Sequence, residues 1–247
     1  LVLPRVIGAF LMLPLMTQQT VPAMVRNSFM VSLGIIVLPV ALAGLPMQDL
    51  GTIEWPLIIL KEIFIGVAIG FCFGIVFWAV AAVGSVIDTQ VGMSMAQVFD
   101  PIQGHQVTLH GEFLSQLATW LFMASGAFLV FLDLLMGSYV MWPVASYFPD
   151  LPAVGMNLFV GQFDFMMTTV LVLAAPVMVV MLIIDLSFGL VNRYAPSLNV
   201  FALTLPIKAW LATAVILLMI GALMDFVLQR LGDSSGFLEV LQKAFSA

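Results

Sequence analysis

The sequence predicts an all-α protein whose helices cross a membrane. Hydrophobic residues occupy 63% of the 247 positions and only 8% are charged, whereas a soluble domain carries about 25% charged residues. Such a chain has too little polar material to cover a surface that faces water. Its apolar runs are longer than strands and show no sustained alternation of apolar and polar residues, which argues against a β-barrel. The length suits roughly six spans of about 20 residues each.

Apolar runs separated by polar turns define the predicted elements. The first run, residues 1–16, is cut by prolines and is short for a span. The run at 55–87 suits either one tilted helix or two segments, and residues 142–164 are expected at the membrane interface. Pro176 and Pro206 lie inside the last two runs, where a proline removes a backbone hydrogen bond and favours a kink. The later runs are residues 28–45, 55–87, 113–140, 165–191 and 200–228.

The longest polar interlude, residues 88–112, is too apolar for a free loop and too polar for a span. Irregular backbone at membrane depth is tolerated only against protein or water, which favours a re-entrant or pore-lining segment. Methionine adapts its shape to fill gaps, so the segment suits a seal that opens around varied cargo. The candidate sealing residues are Gly92, Met93, Ser94, Met95, Phe99, Asp100, Pro101 and Gly104.

Asp185 and Lys208 form a candidate pair on the two sides of a short turn. Seven residues separate Asp185 from Asn192, where the first helix is expected to end. Nine residues separate Asn199, an expected N-cap, from Lys208. At 1.5 Å per residue the two depths differ by about 3 Å. Pairing lowers the cost of about 2.5–3.5 kcal/mol for a charge at mid-span. Three interpretations stay open: a pair that fixes the register of the hairpin, a proton or ion relay, and a contact between subunits.

Three further charged residues lie inside predicted helices. Lys61 and Glu62 are adjacent, so their side chains leave the helix about 100° apart and do not face each other well. Each is expected to find a partner elsewhere or to lie near the membrane interface. Asp133 lies late in its run, which indicates a position near the membrane surface.

Three glycines recur every fourth residue and line one helix face: Gly66, Gly70 and Gly74. Missing side chains allow another backbone to approach closely, which is how helices associate where lipid supplies no hydrophobic drive. Two interpretations stay open. The face packs against a helix of the same chain, or it docks a helix of a partner.

Composition and motifs argue against several classes of function. The net charge is −6 and no basic patch is present, so nucleic acid is not an expected partner. The chain contains no nucleophile elbow, phosphate-binding loop, dinucleotide-binding glycine pattern or zinc-ligand spacing. His105 and His110 are five residues apart, which is the wrong spacing for one helix face. We therefore expect no enzyme, no metal and no cofactor.

Three segments, taken in order, resemble one protein family. They read KEIFIGVAIGF at residues 61–71, GSVIDTQVGMSMAQVFDP at 84–101 and DLSFGLVNRYAPSLNVFALTLPIK at 185–208. Together they resemble the FliR/SctT family, the export-apparatus proteins of bacterial type III secretion, and the resemblance covers nearly the whole chain. The segment that ends in Pro206 and Lys208 looks more like the injectisome SctT branch than the flagellar branch.

The resemblance implies a place in a larger assembly. Residues 1–164 would be similar to the FliP/SctR subunit and include a plug loop at 88–112 that closes the pore. Residues 165–231 would form a helical hairpin similar to the FliQ/SctS subunit, followed by a short tail at 232–247. The expected partners are FliP/SctR-like and FliQ/SctS-like subunits, with a FlhB/SctU-like protein at the entrance.

The resemblance also implies a function and a location. We expect a subunit of the export gate that forms part of the protein-conducting pore for unfolded secreted proteins. This multi-pass chain would lie in the bacterial inner membrane, within the basal body of the secretion system. The residues alone leave an alternative, a secondary transporter or channel for a small solute or ion, with Asp185, Lys208 or Glu62 as coupling sites.

Overall fold

The computed structural model describes residues 2–16, 21–43, 54–92, 108–144, 153–195 and 200–233. Within these ranges the protein is all-α, which confirms the predicted fold class, and no strand occurs. The elements are α1 (Leu3–Met12), a 3₁₀ turn (Pro14–Met16), α2 (Ala23–Ala43), α3 (Glu54–Val91), α4 (Leu109–Ala124), α5 (Ala127–Met141), α6 (Ala153–Tyr194) and α7 (Val200–Asp233).

Two prolines explain the limits of α1. Pro4 occupies the first turn of the helix, where its missing N–H has no intrahelical partner to lose. Leu13 is extended, with ψ 124°, because the ring of Pro14 disfavours helical backbone in the residue before it. The ten-residue helix is too short to span a bilayer. Its buried residues are Arg5, Val6, Gly8, Ala9 and Phe10.

α3 is one unbroken helix of 38 residues, so the run at 55–87 does not divide into two segments. The helix continues through Asp88 to Val91, and α4 begins at Leu109. Residues 88–91 and 109–112, which the sequence assigned to the polar interlude, are therefore helical. Asp88 remains helical and buried because its carboxylate is hydrogen-bonded to the start of α4 instead of facing apolar surroundings.

A sharp bend replaces the single span expected at 113–140. α4 and α5 meet at an angle of 71°. The break falls at Ser125 and Gly126, and Gly126 adopts a left-handed backbone with φ 78°. Glycine reaches this conformation without steric cost, so it permits the chain to leave one helix and start another.

The last two predicted runs lie within two long helices. α6 has 42 residues and α7 has 34, with Pro176 and Pro206 in their interiors. Residues 153–164, expected to be an interfacial segment before the span, are already part of α6. The predicted division of the chain after residue 164 falls inside this helix and stays a prediction.

Among the residues that the structure describes, four helices are long and apolar enough to cross a membrane: α2, α3, α6 and α7. The bent pair of α4 and α5 passes the same test only when counted together, which raises the number to five in the described part of the chain. The expectation of roughly six spans of about 20 residues is therefore too high for these residues. The reason is that α1 is short and the run at 113–140 is broken.

The helices pack into two compact units. The first comprises residues 1–77, 122–163 and 229–247, and the second comprises residues 78–121 and 164–228. Both units therefore combine segments that are far apart in the sequence, so each can gather polar groups that no local pattern connects.

The core of the first unit is a cluster of phenylalanines. The ring of Phe131 meets Phe10 and Phe73 edge to face, with centroids 5.4 and 5.3 Å apart. Phe122 makes the same kind of contact with Phe73 and Phe77, at 6.2 and 5.3 Å. Such pairs contribute about 0.5–1.5 kcal/mol beyond the burial of their area. The cluster holds α1, α3 and α5 together and fixes where their polar residues meet.

The core of the second unit is aliphatic where α3 and α4 contribute to it. Ile87 and Leu114 are almost completely buried, and Phe165 of α6 stacks on Phe226 of α7 with centroids 5.9 Å apart. Gly84 and Gly111 allow the backbones of α3 and α4 to approach closely, because a Cβ on Gly84 would collide with the backbone of Gly111. The close approach brings the end of α3 beside the start of α4.

Candidate functional site

A buried ion pair in the first unit joins α1 to α3. Arg5 Nε donates to Glu62 Oε2 at 2.7 Å, and Arg5 Nη2 donates to Glu62 Oε1 at 2.9 Å. Both side chains are completely buried. Two parallel N–H···O bonds match the fork of a guanidinium to the two oxygens of a carboxylate, which gives a strong and geometrically specific contact.

The remaining donors of Arg5 are bound by α5 and the residues after it. Nη1 donates to Ser138 Oγ at 3.0 Å, and Nη2 donates to the carbonyl of Trp142 at 2.9 Å. The guanidinium lies 4.1 Å from the centre of the Tyr139 ring, and the Tyr139 hydroxyl donates to the carbonyl of Val2 at 2.7 Å. Arg5 therefore ties three segments of the first unit to one point.

Lys61 completes this cluster. Its Nζ lies 3.1 Å from Glu62 Oε1 and donates to the carbonyls of Pro143 and Val144 at 3.1 and 3.0 Å. The expectation that Lys61 and Glu62 do not face each other well is therefore wrong. The expectation that each finds a partner elsewhere is confirmed, by Arg5 for Glu62 and by the two carbonyls for Lys61. The long, flexible stem of a lysine carries its ammonium group around the helix surface, so the 100° between adjacent positions does not prevent contact.

Arg5 was not among the candidate site residues, although it is the centre of the cluster. A signal was present: an arginine in an apolar run needs a carboxylate partner, and Glu62 lies in another apolar run. The arrangement offers no free group for chemistry, because each charge is enclosed by the others. What it does is fix α1, α3 and the end of α5 relative to one another.

Two glycines of the predicted packing face contact α1. A Cβ on Gly66 would collide with the carbonyl oxygen of Arg5, and a Cβ on Gly70 would collide with that of Ala9. From the opposite side, a Cβ on Gly8 would lie 2.8 Å from the carbonyl oxygen of Ile63. At Gly66 and Gly70 the face is thus occupied by a helix of the same chain.

The third glycine, Gly74, is buried on α3. Asp133, expected near a membrane surface, has an exposed side chain on α5. Neither observation assigns a role to these two residues, which stay candidates.

A second polar cluster lies in the second unit, where the end of α3 meets the start of α4. The Asp88 carboxylate accepts hydrogen bonds from the backbone N–H of His110 at 3.0 Å and of Gly111 at 3.5 Å. Its other oxygen contacts His110 Nδ1. His110 Nε2 lies 3.0 Å from Thr213 Oγ1 on α7. Asp88 and His110 are 3% and 5% exposed, so their contact is shielded from water.

In the sequence, His110 is a metal ligand of unsuitable spacing, and Asp88 is not among the candidate site residues. The two residues are 22 positions apart, across the interlude, so no helix periodicity connects them. A weak signal existed, since an aspartate near the end of one apolar helix and a histidine near the start of the next are natural partners when the helix ends meet.

Asp185 and Lys208 lie together in the second unit. Lys208 Nζ is 2.5 Å from Asp185 Oδ1 and donates to the carbonyl of Gln90 at 3.2 Å. The Lys208 side chain is 10% exposed, whereas that of Asp185 is 47% exposed. The lysine therefore links α6 and α7 to the last turn of α3, and the cation lies at the negative end of that helix dipole.

Of the candidate sealing residues, Gly92 is the one that the structure describes. Its N–H donates to the carbonyl of Thr89 at 3.1 Å, and its φ is 87°, which ends α3 in a left-handed turn. A Cβ there would lie 2.8 Å from Leu205 Cδ2. The others lie outside the described residues: Met93, Ser94, Met95, Phe99, Asp100, Pro101 and Gly104.

Comparison with known proteins gives a family and several relatives. The chain matches the family described as "Bacterial export proteins, family 1" over residues 1–234. It is 37% identical over 219 residues to Yop proteins translocation protein T of Yersinia pestis, covering 88% of this chain and 84% of the relative. It is 31% identical over 241 residues to surface presentation of antigens protein SpaR of Salmonella typhimurium, covering 95% and 89%. It is 30% identical over 231 residues to flagellar biosynthetic protein FliR of Bacillus subtilis, covering 93% and 88%.

Proposed function

Since this chain belongs to the bacterial export proteins, family 1, we propose that it is a subunit of the export gate of a type III secretion system and forms part of the protein-conducting pore. The match over residues 1–234 confirms the predicted resemblance to the FliR/SctT family. The identity of 37% to the Yop translocation protein exceeds the 30% to the flagellar protein, which supports the SctT branch.

The observation that carries the proposal is the length of these matches together with the names of the relatives. Alignments cover 84–89% of three relatives named for Yop protein translocation, presentation of surface antigens and flagellar biosynthesis. The family description names export, and the first of these relatives is named for the translocation of proteins. A component of an export system therefore explains these long matches better than a solute carrier does.

The surfaces of α6 and α7 support membership of a membrane assembly. Their exposed apolar side chains form long stripes, with Trp210 79% and Leu218 86% exposed. Apolar surface on this scale needs lipid or the helices of partner subunits. The exposed set on these two helices includes Leu171, Val172, Leu182, Ile183, Leu186, Leu190, Leu203, Trp210, Leu217 and Leu218.

The proposal includes specific partners and a location. The chain joins FliP/SctR-like and FliQ/SctS-like subunits in the bacterial inner membrane, inside the basal body, with a FlhB/SctU-like protein at the entrance. Residues 1–164 take the FliP/SctR-like place, and the α6–α7 hairpin at 165–231 stacks beside FliQ/SctS-like hairpins. The tail at 232–247 follows the hairpin. Unfolded secreted proteins are the cargo.

We further propose that the segment beginning at Gly92 closes the resting pore, with residues 93–104 as its body. The left-handed turn at Gly92 supports an abrupt exit from α3, since it ends the helix in one residue. The methionines of the segment suit a seal that must deform around different chains.

The structure gives less support to a solute transporter. Glu62, one of its candidate coupling residues, is completely buried and held by Arg5 and Lys61. A coupling carboxylate has to exchange protons or ions with water, and this one is enclosed. Catalysis is likewise no part of the proposal, because the Asp88–His110 pair and the Arg5 cluster are satisfied by their own partners.

Co-expression tests the proposal. The chain should be recovered in a defined hetero-oligomer when it is produced with candidate FliP/SctR-like and FliQ/SctS-like subunits, as measured by native mass spectrometry. Produced alone and placed in liposomes, it should give no solute flux. Stable isolation without partners, together with saturable flux of a small solute, would replace the export gate by the transporter.

A further inference from the structure

Asp185 is a half-exposed carboxylate on an apolar face of α6. Its side chain is 47% exposed, and the nearby Leu182 and Leu186 are 58% and 62% exposed. Gly189 lies one helix turn further on, and a Cβ there would have nothing within 4 Å. These four positions, which we call the Asp185 face, lie within about 100° of one another around the helix. The gap at Gly189 beside two exposed leucines is a shape into which a side chain of another helix packs.

Asp185 is the one charged residue among residues 182–190. Ser187, the other polar side chain there, donates to the carbonyl of Ile183 at 2.8 Å, so it needs no partner outside its own helix. A carboxylate has about four acceptor positions on its two oxygens. Among the described residues, Lys208 is the ionic partner of Asp185 and is bound to Oδ1. Asp185 therefore keeps acceptor capacity on its exposed side.

Lipid cannot cover the whole exposed surface of α6. Exposed apolar residues extend from Val160 to Leu190, which at 1.5 Å per residue is about 45 Å. The hydrocarbon core of a bilayer is about 30 Å thick, and an average tilt of about 20° shortens the projected length of this surface only to about 42 Å. Protein has to cover the remainder, because apolar surface on this scale is not left in water. The part around Asp185 suits lipid least, since hydrocarbon offers a carboxylate no donor.

Lys208 determines which kind of partner fits. Its ammonium group balances the charge of Asp185, and only 10% of its side chain is exposed. The pair is therefore neutral as a whole and presents its carboxylate outward. A second cation would leave an unbalanced positive charge in an apolar interface, at a desolvation cost that one hydrogen bond does not offset. A neutral donor, such as a hydroxyl, a side-chain amide or an indole N–H, satisfies the carboxylate without this cost.

We propose that the Asp185 face docks a helix of a neighbouring FliQ/SctS-like subunit, an apolar helix with one neutral hydrogen-bond donor opposite Asp185. This docking rests on the proposed function, in which the α6–α7 hairpin stacks beside such subunits. A side chain of the partner helix fills the gap at Gly189, and the donor binds the exposed side of the carboxylate. Lys208 holds the same carboxylate from within the hairpin and so orients the acceptor that the partner meets.

Photo-crosslinking in the assembled complex identifies what covers the Asp185 face. A benzophenone amino acid at position 182 should react mainly with the FliQ/SctS-like subunit. The matched control carries the same group at position 183, because Leu182 and Ile183 are equally exposed, at 58%, and point about 100° apart. The adduct with that subunit should be the main product from position 182 and a minor product from position 183.

The crosslinked product separates failure of the docking from failure of the proposed function. An adduct within the same chain, or with lipid alone, overturns the docking and leaves the export gate standing, provided that the wild-type hetero-oligomer forms. Equal yields of the subunit adduct from the two positions also overturn it. A wild-type chain that forms no hetero-oligomer overturns the proposed function and the docking with it.

Two double variants separate the contact with the partner from the ion pair within the hairpin. Asp185→Asn and Asp185→Leu are each combined with Lys208→Met, so neither leaves a buried lysine without its carboxylate. Both lose the hydrogen bond of Lys208 to the carbonyl of Gln90, so they differ only at position 185. Asparagine keeps an acceptor for the partner, and leucine does not. Retention of the FliQ/SctS-like subunit, measured by native mass spectrometry, should therefore be about tenfold weaker with leucine than with asparagine.

The order of the two double variants decides the proposal. Coverage by lipid gives the opposite order, because leucine suits hydrocarbon better than asparagine does. A leucine variant that retains the subunit as well as the asparagine variant, or better, therefore overturns the docking. If the asparagine variant loses the subunit that Lys208→Met alone retains, the partner requires the charge of the carboxylate, and a neutral donor is overturned in favour of a cation.

Discussion

Arg5 and Glu62, 57 positions apart in the sequence, form a two-point ion pair with both side chains completely buried. Withdrawing two charges from water costs free energy that their attraction roughly balances, so such a pair adds little net stability. Its effect is on specificity, because any other placement of α1 leaves a buried charge without its partner. A helix of ten residues, too short to hold itself in a membrane, is thereby fixed in one position.

Removal of one member of this pair should destabilise the protein by more than the small net stability that the intact pair contributes. Glu62→Gln leaves Arg5 buried without a carboxylate, at a cost of about 3–5 kcal/mol. Arg5→Lys should be milder but still destabilising, because an ammonium group cannot make the two parallel bonds. The measurement is the dissociation temperature of the purified complex together with the amount of protein in the membrane.

Asp133→Asn serves as the control, since it removes a carboxylate that is exposed on α5. It should leave the dissociation temperature within the error of the wild type. If Glu62→Gln proves as harmless as Asp133→Asn, the Arg5 cluster does not hold α1 in the assembled protein.

The contact of α1 with the glycines of α3 yields a second prediction. Gly66→Ala places a methyl group against the carbonyl oxygen of Arg5, and backbone on a packed helix cannot move aside cheaply. We expect a loss of about 1–3 kcal/mol and reduced secretion. The measurement is again the dissociation temperature, together with the amount of cargo in the medium.

Gly137→Ala is the matched control on α5 of the same unit, because a Cβ there has nothing within 4 Å. It should be neutral or slightly stabilising, since alanine favours a helix more than glycine does. Equal effects of Gly66→Ala and Gly137→Ala would mean that the close approach of α1 and α3 is absent from the working complex.

Local features of the sequence were sufficient to predict the fold class and the two helices α6 and α7. The runs at 165–191 and 200–228 lie inside α6 and α7, because sustained hydrophobicity over more than 18 residues has few alternatives to a helix. Counting the rise per residue from the turn put Asp185 and Lys208 at similar depth, and their charged groups lie 2.5 Å apart. In a helical hairpin the depth of a residue depends on its distance along the chain from the turn, so counting residues is sufficient to predict which positions lie at similar depth.

Local features of the sequence could not predict which polar residues pair across distant parts of the chain. Nothing in the periodicity of α1 and α3 connects Arg5 to Glu62, since the pairing depends on how two helices cross. Nor does periodicity connect Asp88 to His110, because the interlude between them hides that the helix ends meet. The break at Gly126 was also missed, because glycine is common inside membrane helices and does not by itself mark their ends.

The Asp185–Lys208 pair should respond unequally to its two single substitutions. Asp185 is half exposed, so Asp185→Asn should cost about 1 kcal/mol or less. Lys208→Met should cost more, because it also removes the hydrogen bond to the carbonyl of Gln90 in a buried position. The measurement is assembly with FliQ/SctS-like subunits, quantified by native mass spectrometry.

Exchange of the two charges refines this test. If the pair holds the register of the hairpin, Asp185→Lys combined with Lys208→Asp should recover part of the assembly lost in either single variant. Full recovery is not expected, because an aspartate at 208 would face the carbonyl of Gln90 with no proton to donate. A double variant no better than the worse single variant would show that the two residues act through separate partners.

Deletion of the proposed plug should separate sealing from assembly. Removal of residues 93–104 leaves Gly92 and both helix ends, with the contacts between Asp88 and His110, in the chain. We expect hetero-oligomers of unchanged subunit composition. Their ion conductance in lipid bilayers should rise at least about tenfold, because hydrated ions then pass a pore that no plug segment blocks. A matched variant that replaces these twelve positions by a glycine–serine linker of equal length distinguishes the loss of the seal from strain in a shortened connection. Conductance at the wild-type level in both variants would remove the plug from the proposed function, whereas a rise in both with assembly intact assigns the seal to the side chains of this segment.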